Sequence, residues 1–428
     1  MGIEIPAGYR PLDDDSLRRW LSGVAVLAER LGGPSADWTV EEVGDGNLNL
    51  VFLVRGATGG VCVKQSLPYV RVVGESWPMP LERTFFEACH LSETAAHVGR
   101  LAPALLHYDA TLFVLVEELL EPHRVLRGAL IAGVRYPDAA RAVAEYVAKN
   151  GVLSSVLAQP FEKVFDRAAV FAANQALTRV TTELVFADPY REQARNRWSS
   201  PQLDDAAASI RHDARLKLAV ARLGQAFLTR HDALLHGDLH TGSVMVSASD
   251  TRVIDPEFAR YGPLGFDLGN FVANLLTAYF SQPGHETRAG ERTDYGEWIL
   301  AQIDLFWRHF VLRYQQLWRE QTEGDAYPVT LFEEADGQRA LQDERQRAVA
   351  ALLDDTLGFA GAEIIRRILG FAHNREFEAI PDPDVRARLE RRALQLARRL
   401  LLEKERFGSI EAVLAAARAV SEYEAEVA

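Results

Sequence analysis

The sequence predicts an α+β protein with a small antiparallel-sheet N-terminal lobe and a larger, mainly helical C-terminal lobe. Three observations lead there. From Trp38 to Lys64, short β-type runs alternate with glycine-rich breaks (WTVEEV, GDGN, LNLVFLVR, ATGG, VCVKQ), the pattern of a meander closed by tight turns. A further apolar run, TLFVLVEELL, ends in the acidic pair Glu117 and Glu118. Beyond it, helical periodicity takes over. Leu389, Ala393, Leu396 and Leu400 form an apolar stripe, Gly408 and Ser409 break it, and Ile410, Val413, Leu414 and Ala417 resume it. The expected organisation is a β-rich lobe over 1–116, a hinge over 117–122 and a helical lobe over 123–428. Residues 320–345 read as polar and loop-like.

A chain of 428 residues, 48% hydrophobic and 25% charged, can bury a sizeable core in each of two lobes. Its formal charge of −13 repels phosphate backbones and anionic headgroups, so no nucleic acid and no membrane surface is expected as a partner. A small anion in a local basic pocket remains compatible. Cys62 and Cys89 are far apart and lack metal-ligand spacing, which predicts neither a disulfide framework nor a zinc site and fits a reducing cytoplasm. The N-terminus MGIEIPAGYR lacks a basic flank followed by an apolar core, and no run of about 18 apolar residues occurs. The expectation is a soluble, cytoplasmic protein.

The chemistry is concentrated in four stretches. Gly44-Asp45-Gly46-Asn47 lies between two strands, where backbone N–H groups can approach phosphates, or where the glycines simply turn a hairpin. In VCVKQ, Cys62 and Lys64 share one face of a strand and Val61 and Val63 the other. A lysine on the inward face needs an anionic partner, an ATP phosphate or a carboxylate such as Glu82 or Glu87 in LERTFFEACH. The remaining two stretches are HGDLHTGSVMV at 236–246 and RVIDPEFA at 252–259, which set Asp238, Asp255 and Glu257 in turns beside apolar runs. One carboxylate can orient or deprotonate an acceptor hydroxyl while a second group holds Mg2+ against nucleotide phosphates. The plainer reading of each stretch alone is a turn aspartate bonded to its own loop.

Taken together, the Gly turn, strand lysine, HGDLH and downstream acidic motif resemble the protein-kinase-like fold shared by aminoglycoside, choline and homoserine kinases. More specifically, HGDLHTGS, DPEFARYGPLGFDLGN at 255–270, VKQSLPYVRVVGESWPMPLER at 63–83, RNRW at 195–198 and EIIRRILGFAH at 363–373 closely resemble the methylthioribose kinase family. The resemblance implies a bilobal kinase that phosphorylates the 1-hydroxyl of 5-methylthioribose with ATP and Mg2+, acting as a homodimer in methionine salvage. It implies Asp238 as the catalytic carboxylate and Lys64, Gly44 and Gly46 as phosphate-side groups. Glu117, Glu118 and Leu119 would read adenine through the backbone. Asp255, Pro256 and Glu257 would serve the nucleotide, with Asp255 and Glu257 as metal ligands. Asn47, Asp238, Arg366 and Arg367 would hold the sugar. Adjacent residues on a helix point about 100° apart, so Arg366 and Arg367 can share a ligand only near a helix end or bend. Trp77 is expected as a lid or as a residue buried between the lobes, Asp267 as an orienter of the catalytic loop, and His236 and His240 as braces of that loop. Ser243 stands where aminoglycoside kinases carry a metal-binding Asn, which shifts metal binding onto Asp255 and Glu257. The rival readings are a kinase of an aminoglycoside, choline or homoserine, and a nucleotide-binding pseudokinase.

Overall fold

Alternating side chains in the N-terminal third close one antiparallel sheet. The structure, a computed structural model, describes residues 3, 5–44, 48–372 and 374–422. Two short helices come first, α1 (Asp14–Gly23) and α2 (Ala25–Leu31). Asp13 starts α1 with a reciprocal cap, its Oδ1 accepting from the Ser16 N–H and its own N–H donating to Ser16 Oγ, both at 2.9 Å. Strands β1 (Thr39–Glu42), β2 (Asn49–Arg55) and β3 (Gly60–Ser66) follow, then a small hairpin of β4 (Tyr69–Val70) and β5 (Gly74–Pro78). Helix α3 (Arg83–Val98) crosses before β6 (Leu105–Asp109) and β7 (Val114–Glu118). The sheet order is β1-β2-β3-β7-β6, with every neighbouring pair antiparallel.

Period-two alternation gives this sheet two unlike faces. Val61 and Val63 face one way with Phe52, Val54, Val114 and Val116, and α1 and α2 cover them with Leu17, Leu21, Leu27 and Leu31. An apolar sheet face must be covered by another layer, and these helices supply it. The β-rich reading of the N-terminal third did not include them. The opposite face presents Cys62 and Lys64.

The helical region opens with β8 (Arg124–Val125), α4 (Leu126–Ile131), α5 (Ala139–Leu153), α6 (Phe161–Ala172), α7 (Gln175–Phe186), α8 (Asp204–His212) and α9 (Ala214–Thr229). Four short strands then hold the loops of interest: β9 (Ala233–Leu235), β10 (Val244–Val246), β11 (Thr251–Val253) and β12 (Arg260–Gly262). β9 pairs with β12, and β10 with both β8 and β11. The chain finishes in α10 (Gly265–Ser281), α11 (Thr293–Glu320), α12 (Ala335–Leu369), α13 (Arg375–Glu378), α14 (Pro383–Leu402) and α15 (Ile410–Glu422). The apolar stripes of α14 and α15 are buried as their spacing predicts. The expectation of a loop over 320–345 fails from Ala335 onward, where α12 begins. Its first turns are mostly exposed and polar, so they carry no apolar stripe, and their helicity is propagated from the buried half after Leu352.

Helix α10 is apolar on all sides and nearly wholly buried, so it forms the axis of the region. Its tightest neighbour is α12. A Cβ at Gly269 would stand 2.7 Å from Phe359 Cβ and 2.8 Å from the Thr356 carbonyl oxygen. Adding a methyl there gains about 1 kcal/mol of helix propensity, but it meets backbone that cannot rotate away, and overpacking costs more. Gly269→Ala is therefore expected to destabilise the protein by about 1–3 kcal/mol in denaturant unfolding. An unchanged or raised unfolding midpoint would show that the two helices can separate without cost.

Candidate active site

Lysine 64 sits on the inner face of β3, only 4% exposed, and a buried ammonium must be paired. Its Nζ lies 2.7 Å from Glu87 Oε1 on α3 and 3.0 Å from Glu117 Oε1 on β7, and it also meets Asp255 Oδ1. Of the two glutamates the sequence left open, Glu87 is the partner; Glu82 stands at the N-cap of α3. Burial works against the lysine's charge, but the three carboxylates outweigh it and hold Lys64 protonated well above its ordinary range. Burial also pushes the Glu87 and Glu117 carboxyls up, beyond what Lys64 pulls them down, with Asp255 adding to the rise. One cation thus faces more negative charge than it neutralises.

Glu117 and Glu118 correct the expected hinge, because both still belong to β7. Glu117 turns its side chain to Lys64, and the Glu118 N–H donates to the Ala104 carbonyl at 2.9 Å, so that N–H is not open to adenine. A strand continues while its neighbours offer partners, and here β3 and the Ala104 segment do. Of the three residues, Leu119 alone lies past the strand end, over Gly60, where a Cβ would come within 2.4 Å of Leu119 Cδ2.

The acidic loop after β11 has an unusual backbone. Asp255 takes φ +62°, the left-handed region that Asp tolerates better than most residues. Pro256 then starts a 3-10 turn over Pro256–Phe258. Glu257 points toward the N-terminal lobe, where its Oε2 accepts from Asn49 Nδ2 at 2.8 Å. Arg83 holds Asn49 in turn, donating to its Oδ1 at 2.9 Å. Burial pushes the Glu257 carboxyl up to about 7, eased by Arg83 and increased by Asp255. Asn174 binds the carbonyls of Glu257 and Ala259 at 2.9 and 3.1 Å and pins the loop from below. Two hard oxygen donors, Asp255 and Glu257, fit Mg2+, which commonly takes one or two carboxylates and completes its shell with phosphates and water.

The second loop runs from β9 to β10. Its Gly237 has φ +85°, and a Cβ there would lie 2.2 Å from the Phe258 carbonyl oxygen, so this turn requires glycine. Asp267, near the start of α10, accepts from the N–H groups of His236 at 2.7 Å and Gly237 at 3.0 Å. His236 bridges the two loops, with Nε2 2.8 Å from the Ile254 carbonyl and Nδ1 accepting from the Asp238 N–H at 3.2 Å. Ser243 Oγ donates to the Asp238 carbonyl at 3.1 Å and also contacts His240 Nδ1, so its hydroxyl is engaged within the loop.

Asp238 meets Arg366 Nη2 at 3.2 Å, Arg367 Nη2 at 4.0 Å and His240 Nε2 at 3.4 Å. Burial would raise this carboxyl, yet His240 and the two arginines hold it well below the usual range. His240 is itself pushed down to about 4, chiefly by burial. At neutral pH it is therefore an uncharged neighbour, and the permanent charges are the arginines'. The sequence left open which arginine reaches the site. Both do, because they lie in the last turn of α12, and buried Glu363 sets both guanidiniums by accepting from Arg366 Nε at 2.6 Å and Arg367 Nε at 2.8 Å.

Trp77 packs on Phe371 with ring centroids 5.4 Å apart and lies under Arg195 at 5.2 Å, so it joins the β4–β5 hairpin to the helical region. Gly44 occupies its turn, whereas Gly46 and Asn47 lie outside the described residues. Sequence reasoning missed Asn49, Asn174 and Glu363 as parts of the site, and it placed Glu117 there through its backbone rather than through the side chain that meets Lys64. Glu363 carries a usable signal, since it stands three and four residues before the arginine pair on one helix.

A lysine fixed in a sheet against a helix carboxylate and an acidic loop, above a mainly helical region, is the protein-kinase-like arrangement of phosphoryl-transfer enzymes. The profile of the phosphotransferase enzyme family matches residues 39–306. Methylthioribose kinase 2 of Oryza sativa subsp. japonica is 42% identical over 410 residues, covering 95% of both chains. The methylthioribose kinase of Escherichia coli O45:K1 is 40% identical over 419 residues, covering 98% of this chain and 100% of that one. That of Geobacillus sp. strain WCH70 is 36% identical over 417 residues, covering 96% and 97%. The chain belongs to the methylthioribose kinases of that phosphotransferase family.

The lysine cluster has a pH signature. A carboxyl raised in the folded state binds its proton more tightly there than in the unfolded chain. Its contribution is present below the unfolded value of about 4.3 and is lost as pH rises through the folded value. Lys64→Met removes the main group pulling Glu87 and Glu117 down. It should cost about 3–5 kcal/mol near neutrality, with melting temperature falling more steeply than wild type as pH rises above the unfolded carboxyl value. A deficit that does not change with pH would contradict the charge imbalance.

Proposed function

We propose that the protein transfers the γ-phosphoryl group of ATP to the 1-hydroxyl of 5-methylthioribose, giving 5-methylthioribose 1-phosphate and ADP, within methionine salvage. The observation that carries this reading is the meeting of Asp238 with Arg366 and Arg367. A carboxylate bracketed by two guanidiniums suits a neutral sugar hydroxyl that becomes a phosphate ester, and it repels a cationic aminoglycoside or choline. The names of the relatives, at 36–42% identity over nearly the whole chain, support the same substrate.

Asp238 accepts a hydrogen bond from the 1-hydroxyl and aligns its oxygen with the γ-phosphorus. With its carboxyl held low, it is a weak base, so orientation comes first and the proton leaves late, as a loose transition state allows. The new O–P bond forms as the bond to the β–γ bridging oxygen breaks, and ADP departs with that electron pair. Arg366 and Arg367 stabilise charge on the moving phosphoryl group, and Lys64 leaves part of its carboxylate cluster to hold nucleotide phosphates. Asp255 and Glu257 would hold Mg2+, which when bound neutralises phosphate charge. Adenine is read by backbone groups around Leu119, in a hinge that ends by residue 122. A homodimer in the cytoplasm is part of the same reading, supported by family membership. No helix among the described residues is long and apolar enough to cross a membrane.

Asp238→Asn should lower kcat by about 100-fold or more while ATP affinity in calorimetry stays near wild type; activity within tenfold of wild type would remove Asp238 from the reaction. Arg366→Ala and Arg367→Ala should each raise KM for methylthioribose more than KM for ATP. Transfer from labelled ATP across methylthioribose, ribose, choline, homoserine and an aminoglycoside tests the substrate, and preference for any of the last three overturns the assignment.

A further inference from the structure

A cavity of about 540 Å³ opens on the helical region between α6, α7 and β12, and none of its lining residues belongs to the site above. Arg260 lines it from β12 and is 8% exposed. Its Nε donates to the Tyr261 carbonyl at 3.1 Å, and its guanidinium stacks over the Phe227 ring at 4.3 Å. Nη1 is buried with no hydrogen-bond partner, and no carboxylate among the described residues pairs with this cation. Burial alone acts on its charge, lowering it to about 10, so it remains a guanidinium at neutral pH. A buried, unpaired charge is costly to maintain, and arginines elsewhere in the chain, such as Arg366 and Arg313, are satisfied by carboxylates.

We propose that this cavity is a binding site for a small organic carboxylate with an apolar or aromatic body, whose head pairs with Arg260. Phe171, Ala168, Leu228 and the Tyr261 ring give the cavity an apolar side, while Thr178 and Thr182 are among its polar lining, and the volume lies within the range of small-molecule sites, about 300–1,000 Å³. A single unpaired positive charge calls for a monoanion. A phosphate dianion would bring a second charge with no buried cation to meet it, because Arg179 at the rim is largely exposed and engaged with Glu183. The site also touches the catalytic framework. Arg260 is the cross-strand partner of Leu235, the residue before the His236 loop, and lies three residues after Glu257. An occupant that pairs with Arg260 braces both loops at once.

The test uses the full chain with saturating MgADP, so that the nucleotide site is filled, and titrates phenylacetate, its neutral analogue 2-phenylethanol, and inorganic phosphate by calorimetry. Phenylacetate should bind at least about tenfold more tightly than either of the others and should slow hydrogen exchange at residues 236–238 and 258–262. Arg260→Met should remove that binding. If that variant does not fold, Ala172→Phe, which fills the cleft from an exposed helix position, carries the test. It should abolish phenylacetate binding while melting temperature and phosphotransfer stay at wild-type values. Equal binding of the neutral analogue, tighter binding of phosphate, or binding that survives the folded variants would overturn the proposal.

Discussion

A lysine that cannot reach water orders the rest of this structure. Burying Lys64 inside the sheet is tolerable only if its charge is met, and the groups that meet it come from three separate places: α3, β7 and the loop after β11. One ammonium thereby ties the N-terminal sheet to its helix and both to the helical region. The cluster is over-supplied with negative charge, which leaves two carboxyls raised and the half-open Asp255 available to other cations. A stability device alone would be balanced. The imbalance suits a site that receives polyphosphate and metal together, each altering the charge the other meets.

The opposite end of the site is held by the packing of α10 against α12. Gly269 lets the two helices close to backbone contact. Asp267 at the start of α10 then orders the His236-Gly237 turn, while the last turn of α12 delivers Arg366 and Arg367 to Asp238. Glu363 is buried and accepts from the Nε of both guanidiniums, which fixes how their outer nitrogens approach Asp238. Acceptor geometry is thus set by rigid helices rather than by a loop, an advantage where reacting atoms must be aligned closely.

Much of this was legible from local pattern. Alternation placed Lys64 and Cys62 on one face of β3, because strand periodicity is a property of the backbone. HGDLHTGS and RVIDPEF stood out as carboxylates beside apolar runs, and Asp267 bonds the loop it was expected to orient. Other features were hidden for identifiable reasons. Glu117 read as the end of a strand entering a hinge, since nothing in VLVEE says which neighbour its side chain will find. Residues 335–345 read as a loop because an exposed helical turn needs no apolar stripe when a longer buried helix continues it.

The sequence by itself determined the lobes, the faces of their strands and helices, and the residue types able to move a phosphoryl group, because these follow from periodicity and from the cost of burying charge. Tertiary structure alone decided partnership: Glu87 rather than Glu82 for Lys64, both arginines rather than one for Asp238, and no carboxylate among the described residues for Arg260. Which way a side chain faces is set within a few residues of it. Which charge it meets is set by segments tens to hundreds of residues away, brought to within hydrogen-bond distance only when the cores close.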